Sequence, residues 1–196
     1  MKYYILVLFA FLFNISFGQG KVDTGVELPL NKETNKYEFV NVDTIKGKTV
    51  SELYELTKKF LIDRFHNKEF FVDEKDVKIG NNGHFPIAVK LPYLKIKTPW
   101  TSVFSLSIQF KNDRYRIILT NIRLNTNENA TTSEVNLETY FVNNVSMGMG
   151  SKKTGKKINV ATAEEIQKQV NLLFSALSKY LKDEEKNVAS DENDNW

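Results

Sequence analysis

From Val103 to Lys111 apolar and polar residues alternate, and the pattern returns from Tyr115 to Leu124 after Asn112-Asp113. Period two marks a half-buried strand, and a two-residue connection makes the two segments one antiparallel hairpin. Placing the loop at Asn112-Asp113 sets the register, because a slip of one residue exchanges the two faces. Phe110 then falls opposite Tyr115, Ile108 opposite Ile117 and Leu106 opposite Leu119, which makes a core face. The other face pairs Gln109 with Arg116, Ser107 with Ile118, Ser105 with Thr120 and Val103 with Ile122. One oily face needs a covering layer, so the rest of the chain must supply amphipathic elements.

Two segments qualify. Tyr37, Phe39, Val40, Val42 and Ile45 form a β-branched and aromatic run, closed by a turn at Gly47. Thr49-Val50-Ser51-Glu52 follows as a capping box, in which hydroxyl and carboxylate satisfy two orphan amide donors. Leu53, Leu56, Phe60, Leu61 and Phe65 then recur at helical spacing. Thr162-Ala163-Glu164-Glu165 is a second capping box, placing a helix start at Thr162. Its apolar face is Ile166, Val170, Leu173, Phe174, Leu177 and Leu181.

Between these landmarks, Phe70, Phe71 and Val72 read as a core plug under the first helix. Residues 75–81 read as a short strand and Asn81-Asn82-Gly83 as a hairpin turn, since Asn-Gly is a strong turn signal. Phe85 to Ile96 returns as a strand that Pro86 and Pro92 confine to an edge or break in two, and Thr98-Pro99 marks a corner. Residues 125–160 form an irregular insert: a polar loop, a short strand among Val135, Leu137, Tyr140, Phe141, Val142 and Val145, and a flexible basic loop. The order is strand, helix, four strands, insert, helix (β-α-β-β-β-β-α). This is an α+β domain over residues 37–182, with an antiparallel sheet of about five strands and two helices on one face.

The ends differ from the body. Lys2 precedes an apolar run from Tyr3 to Phe13, and Ser16-Phe17-Gly18 offers small residues where a signal peptidase reads. The run is short for a span of about 20 residues, so residues 1–18 read as a cleaved signal peptide. Residues 19–36 read as an extended lead-in. From Asp183 six acids face only Lys186, so 183–196 reads as a solvated, disordered acidic tail. The body is therefore more basic than the net charge of +3 conveys. The chain has no cysteine, which excludes disulfides, thiolate metal sites and a cysteine nucleophile.

Gly47–Leu61 (GKTVSELYELTKKFL) and Val103–Ile122 (VFSLSIQFKNDRYRIILTNI) resemble a secreted bacterial family of unknown function with a TBP-like fold. The turn Lys111-Asn112-Asp113-Arg114-Tyr115-Arg116 and the following Leu119-Thr120-Asn121-Ile122 carry the likeness most clearly. The resemblance implies a curved antiparallel sheet backed by two helices, export to the periplasm or beyond, and no established activity. It does not imply DNA binding, because fold does not set function.

Catalytic signatures are absent from the sequence: it has no H-E-x-x-H, G-x-S-x-G or S-x-x-K. His66 and His84 lack the close spacing of metal ligands on one element, so no metal and no cofactor is expected. Gly150 to Lys157 nearly spells a phosphate-binding loop, but Lys157 stands where the magnesium-binding hydroxyl belongs. Three functional readings stay open. A non-enzymatic envelope module would bind a protein or glycan through Ser105, Ser107, Gln109, Arg116 and Thr120. A hydrolase would use Asp73, Glu74 and Asp76, since paired carboxylates can share acid and base work. The basic loop Lys152, Lys153, Lys156 and Lys157 would dock on anionic lipid or polysaccharide. No nucleic-acid partner is expected, since the register turns Tyr115 away from Arg114 and Arg116.

Overall fold

The computed structural model describes residues 23–90, 97–125, 134–148 and 151–191. The expected signal peptide, its cleavage point, Pro92 and Glu192–Trp196 lie outside these residues. No described helix is long and apolar enough to cross a membrane.

The elements are β1 (Leu30–Asn31), β2 (Lys36–Tyr37), β3 (Phe39–Thr44), α1 (Val50–Phe65), β4 (Val72–Glu74), β5 (Lys78–Lys90), β6 (Lys97–Lys111), β7 (Arg114–Asn125), β8 (Glu134–Asn136), α2 (Leu137–Asn143), a π-helical turn (Asn144–Gly148) and α3 (Lys152–Asp191). The main sheet is antiparallel in the order β3-β7-β6-β5-β4. β8 pairs with β7 at Arg123–Asn125, further along β7 than the residues β3 occupies. The sheet therefore has six strands but is five wide, as the α+β reading requires.

The β6–β7 register matches the alternation over its first half: Phe110 with Tyr115, Ile108 with Ile117, Leu106 with Leu119. Phe104, Leu106, Ile108, Tyr115, Ile117 and Leu119 are all buried. Beyond Ser105–Thr120 the register shifts, and Val103 meets Arg123 instead of Ile122. Asn121, at φ 52°, is the extra residue of a β-bulge. The bulge turns Ile122 and Leu124 back into the core, where both are buried.

Both expected helices cover that core face. In α1 the capping box forms as read: Glu52 N–H donates to Thr49 Oγ1, and Thr49 N–H donates to Glu52 at 2.7 Å. Such a cap contributes about 1 kcal/mol. Leu53, Phe60 and Leu61 are buried, and Phe60 meets Tyr180 of α3 at 5.4 Å between ring centres. Ile166, Val170, Leu173, Leu177 and Leu181 seal the other side, with Phe174 partly buried beside them.

The structure corrects several expectations. Asn81-Asn82-Gly83 is not a turn but the middle of β5. The real turn lies earlier, at Lys75–Val77, with Asp76 at φ 62°. Gly83 is needed for closeness: a Cβ there would come within 2.7 Å of the Phe65 and Phe104 rings. Thr98-Pro99 is no corner, since Pro99 sits in the β6 ladder opposite Ala88. Pro86 is tolerated because β4 pairs β5 only as far as Gly80, leaving that edge open beyond. Phe71 is not a core plug; it is half exposed, with its ring over Gly80. The lead-in holds the β1–β2 hairpin, and the strand read over residues 37–45 is interrupted at Glu38.

The largest departure is at the C-terminal end. α3 starts at Lys152, so the basic segment is its first turns and not a flexible loop. Thr162 is buried inside the helix and donates to the Ile158 carbonyl at 2.9 Å. α3 also runs through Asp191, over most of the stretch expected as a disordered tail. The irregular insert holds β8, the unexpected helix α2 and the π-helical turn, in place of a strand reaching Val145.

Candidate functional site

Helices occupy one face of the sheet, and no described element lies across the other. The ladders arrange that open face in rows. One row runs Val42, Arg116, Gln109, Lys78, Glu74. The next runs Val40, Ile118, Ser107, Gly80, Val72, and a third holds Thr120, Ser105 and Asn82. All five residues expected to bind are therefore brought together: Ser105, Ser107, Gln109, Arg116 and Thr120 share this surface.

Their availability differs. Arg116 is exposed and the other four are half-buried. Ser105 Oγ donates to Asn82 Oδ1 at 2.9 Å, which occupies its proton. Ser107 Oγ is buried without a hydrogen-bond partner among the described residues. The surface is also oilier than the serines suggested, with Val40, Val42 and Phe71 exposed at 44%, 58% and 51%. Alternation of residue types alone would turn the two valines inward, against the polar Asn41 and Asp43; the ladder to Ile118 and Arg116 turns them outward. Phe71 could not be found from alternation either, because its position depends on Gly80 offering no Cβ; one there would lie 2.6 Å from the Phe71 ring and from Val72 Cγ1.

The basic residues lie elsewhere, on the helical layer. Lys152, Lys153 and Lys157 are exposed on the first turns of α3, while Lys156 pairs with Asp23. The near phosphate-binding loop is wound into that helix, and Gly155 N–H already donates to the Ser151 carbonyl. That amide and the Thr154 N–H, which donates to Ser151 Oγ, are therefore not free to cradle a phosphate.

The carboxylates do not assemble. Asp73 points to the helix face and Glu74 to the open face, because neighbours on a strand alternate. Asp73 is held by Lys58 at 2.8 Å and by the Tyr54 hydroxyl. These two partners hold its carboxyl below the ordinary range. A lowered native value means stability that is present above the unfolded value, about 3.9, and lost as pH falls through the native one. Asp73→Asn should therefore flatten the acid limb of stability, its difference from the parent shrinking as pH falls below the unfolded value and through the lowered native one. The group is a third exposed, which keeps the effect to about 1 kcal/mol or less. A difference that grows on acidification would contradict this reading; chemical denaturation across pH decides it.

A second polar cluster joins β3 to α3. Asp43 accepts from Ser178 and, at 3.0 Å, from Lys182, which also donates to Ser178 Oγ at 2.9 Å. Burial works against the Asp43 charge, yet these bonds and that of Thr44 N–H bring its carboxyl below the ordinary range. A serine beside a lysine suggests nucleophilic chemistry, but an ammonium ion-paired to Asp43 has no lone pair to take the serine proton. The buried Tyr115 hydroxyl nearby is pushed up, first by burial and then by the Asp43 charge. Among the described residues no group of three or more metal-ligating side chains is placed to hold an ion.

No protein-family profile matches the chain, and no curated protein matches it. Two solved structures are similar over 78% of its length. A DUF4468 family protein from Bacteroides ovatus is 16% identical, covered over 91% of its own chain, with a TM-score of 0.50. A TBP-like protein from Parabacteroides distasonis is 14% identical, covered over 96%, with a TM-score of 0.54. At these identities the likeness speaks to architecture, and the fold of this chain is TBP-like, as the resemblance of its hairpin and first helix implied.

Proposed function

We propose that the chain is a non-catalytic binding module, exported to the bacterial cell envelope, that engages an envelope protein or glycan through its open sheet face. The uncovered face carries the reading: Val40 and Val42 stand exposed on β3, Val42 beside Arg116, and Phe71 stands exposed over Gly80 toward the opposite edge, with no described element over them. Exposed apolar side chains set among polar groups on one uncovered face mark an interaction surface better than residues scattered singly do. The carboxylates favour this over hydrolysis, because Asp73 and Glu74 face opposite ways. The test is capture from a native envelope fraction with the purified protein. Val42→Asp and the double change Gln109→Ala, Arg116→Ala should each deplete the captured partner at least about tenfold, a loss of about 1.4 kcal/mol. Unchanged capture by both folded variants would overturn the proposal.

One observation favours a second surface. Lys152, Lys153 and Lys157 crowd the positive end of the α3 dipole, where cations are disfavoured, and among the described residues no carboxylate pairs with them. Salt-sensitive sedimentation with anionic vesicles, lost in a triple glutamine variant, would support docking there on anionic lipid; salt-independent retention would refute it.

A further inference from the structure

The closed end of the β6–β7 hairpin sends four polar side chains to the open face. Lys111 and Arg114 are direct register partners beside the turn, and Gln109 and Arg116 are the next pair on that face. Val42 flanks Arg116 from β3. With Phe110 and Tyr115 these residues line a hollow of ≈ 290 Å³. Its wall contains three cations and an amide, and no carboxylate.

Lys58, Arg123, Lys156 and Lys182 each hold a carboxylate. Among the described residues none stands in an ion pair with Lys111, Arg114 or Arg116. Like charges directly across a ladder are destabilising, so Lys111 opposite Arg114 works against the fold. The nearby acids are committed elsewhere: Asp113 accepts from Gly47 N–H at 2.7 Å, and Asp43 faces the helices with Lys182.

The hairpin tip is also fixed in place. Ile45 N–H donates to the Asp113 carbonyl at 2.6 Å, and Asp113 N–H donates to the Lys48 carbonyl at 3.0 Å. Together with the Gly47 bond these tie the turn to the segment between β3 and α1. The cations thus stand on a preorganised frame, which lowers the ordering cost of binding.

We infer that this hollow is an oxyanion site, taking a ligand that presents clustered phosphate, sulfate or carboxylate groups. Arg114 and Arg116 supply forked guanidinium donors that match such oxygens two at a time, and Lys111 and Gln109 add single donors. This rests on the open face being the binding surface and narrows its ligand to an anion.

The test titrates the purified chain with inorganic pyrophosphate and, separately, with tricarballylate, following amide shifts by NMR at about 50 and about 300 mM salt. Shifts centred on residues 109–116 by either anion support the site. Pyrophosphate alone points to phosphate or sulfate, tricarballylate alone to carboxylate, and both to the shared chemistry. The higher salt should weaken binding, and Arg114→Gln with Arg116→Gln should weaken it at least about tenfold. Lys111→Gln should weaken binding while raising the melting temperature of the free protein, since it removes a like-charge pair. No shift there by either anion, wild-type affinity in the double variant, or a lowered melting temperature in Lys111→Gln would each overturn the inference. If the anions are silent while Val42→Asp still abolishes envelope capture, the ligand class fails and the open-face reading survives.

Discussion

Gly155→Ala should destabilise the protein by about 3 kcal/mol, although the same change in an ordinary helix interior stabilises by about 1 kcal/mol. Gly155 lies in the first turns of α3, where its backbone passes against the π-helical turn that follows α2. A methyl group there would overlap the Asn144 carbonyl oxygen, and would sit 2.7 Å from its carbon and 3.2 Å from Val145 N. These are backbone atoms, so no rotamer change relieves the clash. Either α3 shifts outward or the π-helical turn is rebuilt, and Val145 and Ile158, both buried, lose packing in either case. Urea denaturation measures the change. A neutral or stabilised variant would mean that the close crossing of Asn144 and Gly155 does not exist.

Asn159→Leu should cost a similar amount, about 3 kcal/mol, by a different mechanism. Asn159 is fully buried one turn further along α3. Its amide donates to the Phe141 carbonyl at 2.9 Å and to the Thr24 carbonyl at 3.1 Å, and its oxygen accepts from Asn144 Nδ2 at 2.8 Å. One side chain thereby joins α2, the segment leading to β1, and α3. Leucine fills comparable space but leaves three polar groups without partners, each costing about 1–3 kcal/mol unless water reaches it. Hydrogen exchange should show lost protection in α2 before the sheet is affected, because α2 is bonded directly to Asn159 whereas β6 and β7 make no hydrogen bond to it. Equal loss throughout, or no loss, would contradict that assignment. The two substitutions should not add, since both act on Asn144.

This junction stabilises the helical layer without touching the open face. Variants here therefore separate stability from binding: Asn159→Leu should retain envelope capture wherever it remains folded, whereas Val42→Asp should lose capture at nearly unchanged stability.

The junction is also where reading the chain locally went furthest astray. Thr162-Ala163-Glu164-Glu165 has the composition of a helix start, and residue types alone cannot tell a cap from the same letters inside a longer helix. In the fold Thr162 bonds back to Ile158, and the preceding turns stay helical because Ile158, Asn159 and Gly155 are buried against α2 and its π-helical turn. Asn81-Asn82-Gly83 misled for a related reason. Asn-Gly signals a turn because glycine permits positive φ, but Gly83 serves by lacking a side chain beneath two aromatic rings. The positive φ that turns the chain belongs instead to Asp76.

For the site, the strand alternation sufficed to collect Ser105, Ser107, Gln109, Arg116 and Thr120 on one surface. Period two is a covalent property of extended backbone, and the Asn112-Asp113 turn locks its phase. Phe71 over Gly80, the bulge at Asn121 and the commitment of nearby acids to other partners depend on residues far apart in the chain. No local pattern carries them.

By itself, the amino-acid order determined which side of the central hairpin is oily and that amphipathic helices must cover it, since both follow from repeat spacing along the backbone. Only the folded chain decided where the last helix begins, where Phe71 lies, and which cations go without a counter-charge. Those outcomes are settled by close approach between distant segments, where a missing Cβ or one satisfied amide outweighs any local preference.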